Sequence, residues 1–291
     1  MTLPQHEVRA QSLRQRPKGG ESLVMLTAYD AVSARLAYAA GVDLILVGDS
    51  AATTVLGYQY TREIQRDELL MLTRAVRRGA PDAVLVGDLP FGSYEYSDAE
   101  AVITAGEFVH AGCDLIKLEG AGAMLSRVRA IIAANIPVIG HVGLLPQGAQ
   151  GPGDLRARGR TATDAAQVVA DAIALERAGC SAIVIEAVPP VVAHAVYERL
   201  NIPLIGIGAG SSLGGQVLVF HDVLGLSTPP LPRFVREYAA LGESVVSAIR
   251  EFAADVRSGA FPATGEEYGM PQAERDEFLQ GLDQQAAGPD N

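Results

Sequence analysis

Three segments of this chain share one plan: an Ala-Gly turn, a short polar or small residue, an aliphatic run and then a carboxylate. "AGVDLILVGDS" (40–50) closes on Asp49, "AGCDLIKLEG" (111–120) on Glu119 and "AGCSAIVIEA" (178–187) on Glu186. A fourth segment, "GAPDAVLVGDLP" (79–90), opens on Gly-Ala and closes on Asp88. Aliphatic runs without polar alternation read as strands buried on both faces. Such a strand carries a charge only at its end, where something binds it. One acid at a strand end is ordinary and solvated. Four gathered at one end of a sheet repel one another. The repeat therefore asks for a fold that collects strand ends and a chemistry that uses the acids.

Eight strands are expected, at 22–29, 43–50, 83–90, 115–120, 137–143, 182–188, 203–210 and 216–222. Helical patterns lie between them. Residues 31–40 have apolar spacing of helical period, and 67–79 end in basic residues and Gly, a helix stop. Residues 98–112 have an N-cap candidate in Ser97 or Asp98, and 161–179 are apolar on one face and close on Gly179. Strands alternating with helices predict an α/β fold, a (β/α)₈ TIM barrel. A doubly wound open sheet is the alternative, but it would show a Gly-rich phosphate turn after its first strand, where this chain reads "AYDAVS". A barrel of this kind reaches 291 residues as one domain. One domain over 1–291 is thus expected, with a polar lead-in (about 1–20), a helix at 234–259 and a tail from about 262 that frays.

Charge and composition exclude several classes. The formal charge is −11 with no Lys/Arg-rich block, which argues against nucleic acid. No apolar run is long enough to cross a membrane, and the N-terminus lacks an apolar signal core, so the cytoplasm is expected. The two cysteines, Cys113 and Cys180, follow equivalent Ala-Gly turns, and packing explains them better than a disulfide.

In a (β/α)₈ barrel the functional groups sit at the C-terminal strand ends. Those ends hold Asp49, Ser50, Asp88, Lys117, Glu119, His141, Glu186 and the pair His221 and Asp222. Asp49, Asp88 and Glu119 are hard oxygen donors with no Cys/His cluster beside them, which suits Mg²⁺. A cation would also remove the repulsion among them. Lys117 is placed to meet an anionic substrate oxygen. Glu186 is left over as a general base, its proton affinity raised by neighbours such as Ile183 and Ile185. His141 faces the same mouth, either as a working group or as a hydrogen-bonded core histidine. His221 and Asp222 read better as structural, as do Asp43 and Asp114 at the starts of their strands.

These residues also carry a resemblance. "LTAYD", "AGVDLILVGDS", "VLGY", "DLPFGSY", "IKLEG", "IPVIGHVGL", "GRT", "AIVIEAVP", "IPLIGIGAG" and "GQVLVFHDVLG", in that order over about 20–260, resemble the ketopantoate hydroxymethyltransferase family. The resemblance implies a barrel of the phosphoenolpyruvate mutase/isocitrate lyase type. It implies one Mg²⁺ per subunit and a folate co-substrate, 5,10-methylenetetrahydrofolate. The implied reaction moves a hydroxymethyl group onto 3-methyl-2-oxobutanoate through a Mg-stabilised enolate, giving 2-dehydropantoate for pantothenate synthesis. Carried over by motif, Asp49, Asp88 and Glu119 bind the metal. Asp49, Ser50, Asp88 and Lys117 bind the keto acid, and Glu186 is the base. A homo-oligomer is implied, a decamer of stacked pentamers, with the helix near 233–258 supplying part of an interface.

The chain parts from the family pattern in three loops. "AATT" (51–54) stands for a Leu-Gly-Met-type run, and "TREIQRDEL" (61–69) for a different loop. In "GDLRARGR" (153–160), Asp154, Leu155 and Arg158 replace a Gly, an aromatic and a Gln. A paralogue, or a related barrel lyase or aldolase acting on another 2-keto acid or aldehyde donor, is the alternative reading. Such lyases often carry a Cys in a Lys-x-Cys-Gly-His loop, and neither Cys113 nor Cys180 sits in one. A barrel that had lost its chemistry would have lost a charged strand end, and none is lost.

Overall fold

A computed structural model of the chain describes residues 5–149 and 151–286. The strands are β1 (Leu23–Thr27), β2 (Leu44–Val47), β3 (Leu85–Asp88), β4 (Leu115–Glu119), β5 (Val138–Gly143), β6 (Ala182–Glu186), β7 (Leu204–Ile207) and β8 (Gly215–Leu218). Each lies parallel to the next, and β8 pairs back to β1 from Leu23↔Gly215 to Leu26↔Leu218, so the sheet closes and the open-sheet alternative is excluded. The helices are α1 (Gln5–Arg14), α2 (Ala31–Ala39), α3 (Ala51–Thr54), α4 (Arg66–Gly79), α5 (Asp98–Ala111), α6 (Leu125–Ala133), α7 (Ala162–Ala178), α8 (Pro190–Arg199), α9 (Phe220–Val223), α10 (Leu241–Ser258) and α11 (Gln272–Ala286). The described chain forms two compact units: the barrel with α1 to α9, ending at Ala239, and a helical unit with α10 and α11 from Ala240.

Side chains alternate across each strand, and the alternation sorts the core into two layers. Leu44, Leu46, Val86, Leu115, Ile139, Val184, Ile205 and Val217 form the cluster inside the barrel. Ile45, Val47, Ile116, Leu118, Ile183 and Ile185 join the larger cluster under the helices. Strands covered on both sides have no polar alternation, as the runs in the sequence require. The polar lead-in holds α1, whose Ala10 and Leu13 are buried in the inner cluster with Leu23, Met25 and Leu44 at the strand starts. Helix ends follow local chemistry. Ser97 accepts a hydrogen bond from the Glu100 N–H at the start of α5, which stops at the left-handed Gly112. Thr161 and Gly179 do the same for α7.

The strand starts have their own acids. Asp43 accepts from the Val24 N–H (2.8 Å) and pairs with Arg16 (3.0 Å). Asp114 accepts from the Leu85 N–H (2.9 Å) and from Arg9 and Arg77 (2.8 and 2.7 Å). Each ties the start of its own strand to the strand before, the structural role expected for both.

Three expectations need correction. β8 ends at Leu218, because the Phe220 N–H turns to the Thr27 hydroxyl (2.9 Å) and the chain enters α9. His221 and Asp222 therefore sit on a short helix, not on a strand. The helix expected from 234 starts at Leu241, since the Tyr238 N–H bonds the Val223 carbonyl instead of a helical partner. Residues 272–286, read as part of a fraying tail, form α11.

Candidate active site

The inward parity of the strands gathers the charges. Leu115, Lys117 and Glu119 share one face of β4, so the aliphatic layer at the bottom of the barrel gives way to two charges at its top. Asp88 on β3 stands opposite Lys117 in the register, and Glu119 stands opposite His141 on β5. The Lys117 ammonium lies 2.7 and 2.8 Å from the two Asp88 oxygens. The Asp49 N–H, just past β2, donates to Asp88 Oδ2 at 3.3 Å. His141 lies between two acids, with Nδ1 3.3 Å from Glu119 Oε1 and Nε2 3.4 Å from Glu186 Oε2. Neither ring nitrogen makes a hydrogen bond of good geometry. Asp49, Asp88, Lys117, Glu119 and His141 are all buried.

Carboxylates outnumber cations here, and the electrostatics record it. Burial, then the charge of Asp88, pushes the Asp49 carboxyl up to about 8 despite Lys117. Burial also lifts Asp88 above its ordinary value, against the pull of Lys117. Burial alone would lower Lys117, but Asp88, Glu119 and Asp49 override it and hold the ammonium's pKa above its ordinary value. His141 is likewise carried up to about 9, burial and Lys117 opposing, Glu119 and Glu186 prevailing. Asp49 Oδ2 is buried with no hydrogen-bond partner. An orphaned carboxylate oxygen among excess negative charge is the setting a hard cation relieves. Among the described residues no three His, Cys, Asp or Glu side chains converge as ready ligands. Asp49 and Asp88 are the adjacent pair, while the oxygens of Glu119 face the Gln147 N–H (3.1 Å) and His141. The donor set fits an ion such as Mg²⁺, which takes one or two carboxylates and fills its other positions with water and substrate oxygens.

Glu186 ends β6 on the inward face with Val184. Ile183 and Ile185 point the other way, into the layer under the helices, so the apolar neighbours expected around this carboxylate are not its neighbours. Its side chain keeps 15% exposure, against 4% for Glu119, so it is the acid of the set that solvent and ligands reach. Backbone fixes its place. Gly143 has φ +92°, and a Cβ there would run into the Glu186 carbonyl oxygen. Ala187 is left-handed at φ 48°, unusual for a residue with a side chain. The Ala187 N–H donates to the Ile207 carbonyl, and the Ala187 carbonyl accepts from the Arg158 N–H.

Sequence reasoning missed a polar second layer. Tyr94 Oη donates to Gln147 Oε1 (2.8 Å), and Gln147 Nε2 donates to the Leu89 carbonyl (2.9 Å), bracing Glu119 from behind. Tyr29 Oη lies 2.7 Å from Ser50 Oγ, and burial pushes that phenol up to about 12. Buried tyrosine and glutamine in loops leave no periodic signal. The ring centroids of Tyr29 and His221 are 5.6 Å apart, while Asp222 accepts from the Ser227 hydroxyl (2.6 Å), a structural bond.

The geometry has counterparts in known proteins. The family profile described as ketopantoate hydroxymethyltransferase matches residues 7–264. A protein named 3-methyl-2-oxobutanoate hydroxymethyltransferase from Ignicoccus hospitalis is 46% identical over 259 residues, covering 89% of this chain and 98% of its own. The chain belongs to the ketopantoate hydroxymethyltransferase family. Solved structures at lower identity share the barrel. One is 2,3-dimethylmalate lyase, a PEP mutase/isocitrate lyase superfamily member (16% identity, all of both chains, TM-score 0.58). Another is phosphonopyruvate hydrolase in complex with oxalate and Mg²⁺ (18% identity, 96% of this chain and 97% of that one, TM-score 0.59). Within this ketopantoate hydroxymethyltransferase family member, the loop departures fall in different settings. Ala51 and Ala52 are fully buried in α3. Asp154 and Arg158 line a cavity of about 550 Å³ beside the mouth.

Proposed function

We propose that the protein is a 3-methyl-2-oxobutanoate hydroxymethyltransferase that takes its one-carbon unit from 5,10-methylenetetrahydrofolate. The observation that carries this reading is the division of labour among the acids. Asp88 is engaged by Lys117 and Asp49 has an orphaned oxygen, while Glu186 stands apart, more exposed, beside His141. The keto acid's carboxylate meets Ser50 and Lys117. A Mg²⁺ ion would be held by oxygens of Asp49 and Asp88, with Glu119 behind them toward Gln147 and His141, and would act as a Lewis acid on the keto oxygen. Lys117 adds a fixed positive charge where negative charge develops. Glu186 takes the C3 proton, and His141 holds that carboxylate in place. The carbon freed of its proton bonds to the methylene carbon of the folate, both bonds from that carbon to the folate nitrogens break, and water supplies the hydroxyl oxygen of the product; tetrahydrofolate leaves with two added N–H protons, one from C3 by way of Glu186 and one from the water.

The test is proton exchange without folate. The C3–H signal of 3-methyl-2-oxobutanoate should decay in deuterated water with Mg²⁺ and stop with EDTA. A signal that persists at high enzyme concentration would sink the assignment. Glu186→Gln should keep Mg²⁺ binding and lose exchange, because an amide cannot take the proton. Equal loss of metal in Glu186→Gln and Asp88→Asn by calorimetry would mean the roles are divided wrongly.

The assembly we propose is a homo-oligomer of the decameric type. Val245, Ile249, Phe252 and Val256 follow one stripe of α10, all exposed, a face that suits another copy of the chain. Light scattering at micromolar concentration should exceed the 30.5 kDa of one chain several-fold, and a monomer mass would overturn this. Among the described residues no helix is long and apolar enough to cross a membrane. We place the protein in the cytoplasm, where buried free thiols such as Cys113 and Cys180 stay reduced.

A further inference from the structure

Ser50, just past β2, is held through its backbone and through its side chain. Its carbonyl accepts from the Thr54 N–H (3.0 Å), the Thr54 hydroxyl (2.8 Å) and the Thr53 hydroxyl (3.2 Å). Both threonines lie in the run 51–54, where the chain departs from the family pattern. On the other side, Ser50 Oγ lies 2.7 Å from Tyr29 Oη. Distance alone does not say which oxygen donates, since each hydroxyl is both donor and acceptor.

Tyr29 has little freedom. It is 1% exposed. Its N–H donates to the Ser33 hydroxyl oxygen (3.2 Å), beside the capping box that starts α2, and its ring lies against that of His221. Thr27, two residues earlier, ends β1 on the inward face with Met25 and is also buried. The Thr27 side chain hydrogen-bonds the Tyr29 phenol, and its oxygen accepts from the Phe220 N–H at 2.9 Å.

The two ends of this chain of hydroxyls decide its direction. A backbone N–H can only donate, so Phe220 makes Thr27 Oγ1 an acceptor and leaves the threonine proton for Tyr29. A carboxylate can only accept, so a keto acid carboxylate at Ser50 requires the Ser50 proton. Between them the phenol must donate to Ser50 Oγ. The buried phenol stays protonated, as a donor must. With Tyr29 donating to it, the Ser50 hydroxyl cannot point back at the phenol, and its proton is turned to the site.

We propose that Tyr29 is a positioning residue for this reaction, the middle of a one-way relay from the Phe220 N–H through Thr27 and Tyr29 to Ser50, which aims the Ser50 proton at the keto acid's carboxylate. The proposal rests on the transferase reading, in which Ser50 meets that carboxylate, and adds what directs it. A hydroxyl aimed in advance needs no reorientation when the substrate arrives, and hydrogen bonds in series in a dry interior polarise one another. The effect falls on binding of the keto acid, because the proton is taken at Glu186.

The experiment uses the full chain with Mg²⁺ and follows C3 exchange of 3-methyl-2-oxobutanoate without folate, with thermal melting as the control for folding. The variants are Tyr29→Phe, Ser50→Ala, the two combined, Thr27→Val and Thr27→Ser. Ser50→Ala should raise the Michaelis constant for the keto acid about tenfold or more, the scale of one hydrogen bond to a charged group. Tyr29→Phe should raise it about fivefold and leave the saturated exchange rate within about twofold of the parent's. Added to Ser50→Ala, Tyr29→Phe should change the constant less than about twofold, because no hydroxyl is left to aim. Thr27→Val should raise the constant, and Thr27→Ser, which keeps the hydroxyl, should recover most of that loss; this pair carries the test if Tyr29→Phe does not fold. An unchanged constant in Tyr29→Phe would overturn the relay. So would a rise that persists in full in the Ser50→Ala background, which would make Tyr29 a packing residue, or a loss confined to the saturated rate. Ser50→Ala with an unchanged constant would overturn it by removing the role of Ser50 while exchange leaves the transferase reading standing. Absence of exchange in the parent would remove that reading and the relay with it.

Discussion

The same strands carry acids at both ends, and the two ends treat them differently. At the N-terminal end Asp114 accepts from one backbone N–H and two arginines, and Asp43 from one N–H and one arginine. At the C-terminal end Asp49 keeps an oxygen with no partner, and Lys117 and His141 serve four carboxylates. Residue type does not separate a structural acid from a working one. The number of donors that folding supplies does. A site that lacks donors in the fold is one that a ligand or ion must complete.

The contrast can be broken by substitutions at each end. Asp114→Asn should cost most, about 3 kcal/mol of stability, since it strips charge from two arginines at once; thermal melting checks it, and C3 exchange per folded molecule should be unchanged. Asp88→Asn should do the reverse. Exchange should fall about a hundredfold or more with a melting temperature near the parent's, because Lys117 keeps Asp49 and Glu119 beside it. A large loss of stability there would erase the distinction between the ends.

Asp49 gives a sharper test through pH. Its folded carboxyl is raised to about 8, so between the ordinary aspartate value of about 4 and that value the folded chain holds a proton the unfolded chain has lost. In EDTA, stability should therefore fall as pH rises across that window, and Asp49→Asn should flatten the slope. A parent whose melting temperature rises across the window would contradict the picture. Asp43→Asn should have the smallest effect, about 1 kcal/mol, because both partners of its ion pair are about a third exposed. A loss as large as that of Asp114→Asn would show that the backbone bond, not the arginines, dominates at this end.

Much of this is legible in the sequence. The starts of β2 to β6 lie within two residues of expectation because those runs are buried on both faces and admit no other period. Asp49, Asp88, Lys117, Glu119 and Glu186 stand out because charges at the ends of such runs have few explanations. Other features leave no local trace. Val24 on β1 and Gln216 on β8 are exposed, so these strands alternate, and the end of β8 is set by a long-range bond from Phe220 to Thr27 that no local pattern announces. α6 and α8 are short and bury few residues, leaving weak helical periods. Gln147 and Tyr94 reach Glu119 from distant loops. The expectation for Ile183 and Ile185 fails on parity: sequence neighbours on a strand face opposite sides.

One glycine has a consequence for how the protein tolerates change. Gly143 has no side chain and bears no charge, yet the strand that carries Glu186 rests against the space where a side chain would be. In a saturation-mutagenesis survey scored by growth, position 143 should be as intolerant as the charged positions. Alanine there should be rejected almost as firmly as tryptophan, since the first carbon already collides. A profile of that kind, flat with side-chain size, marks a position selected for the room it leaves to its neighbour.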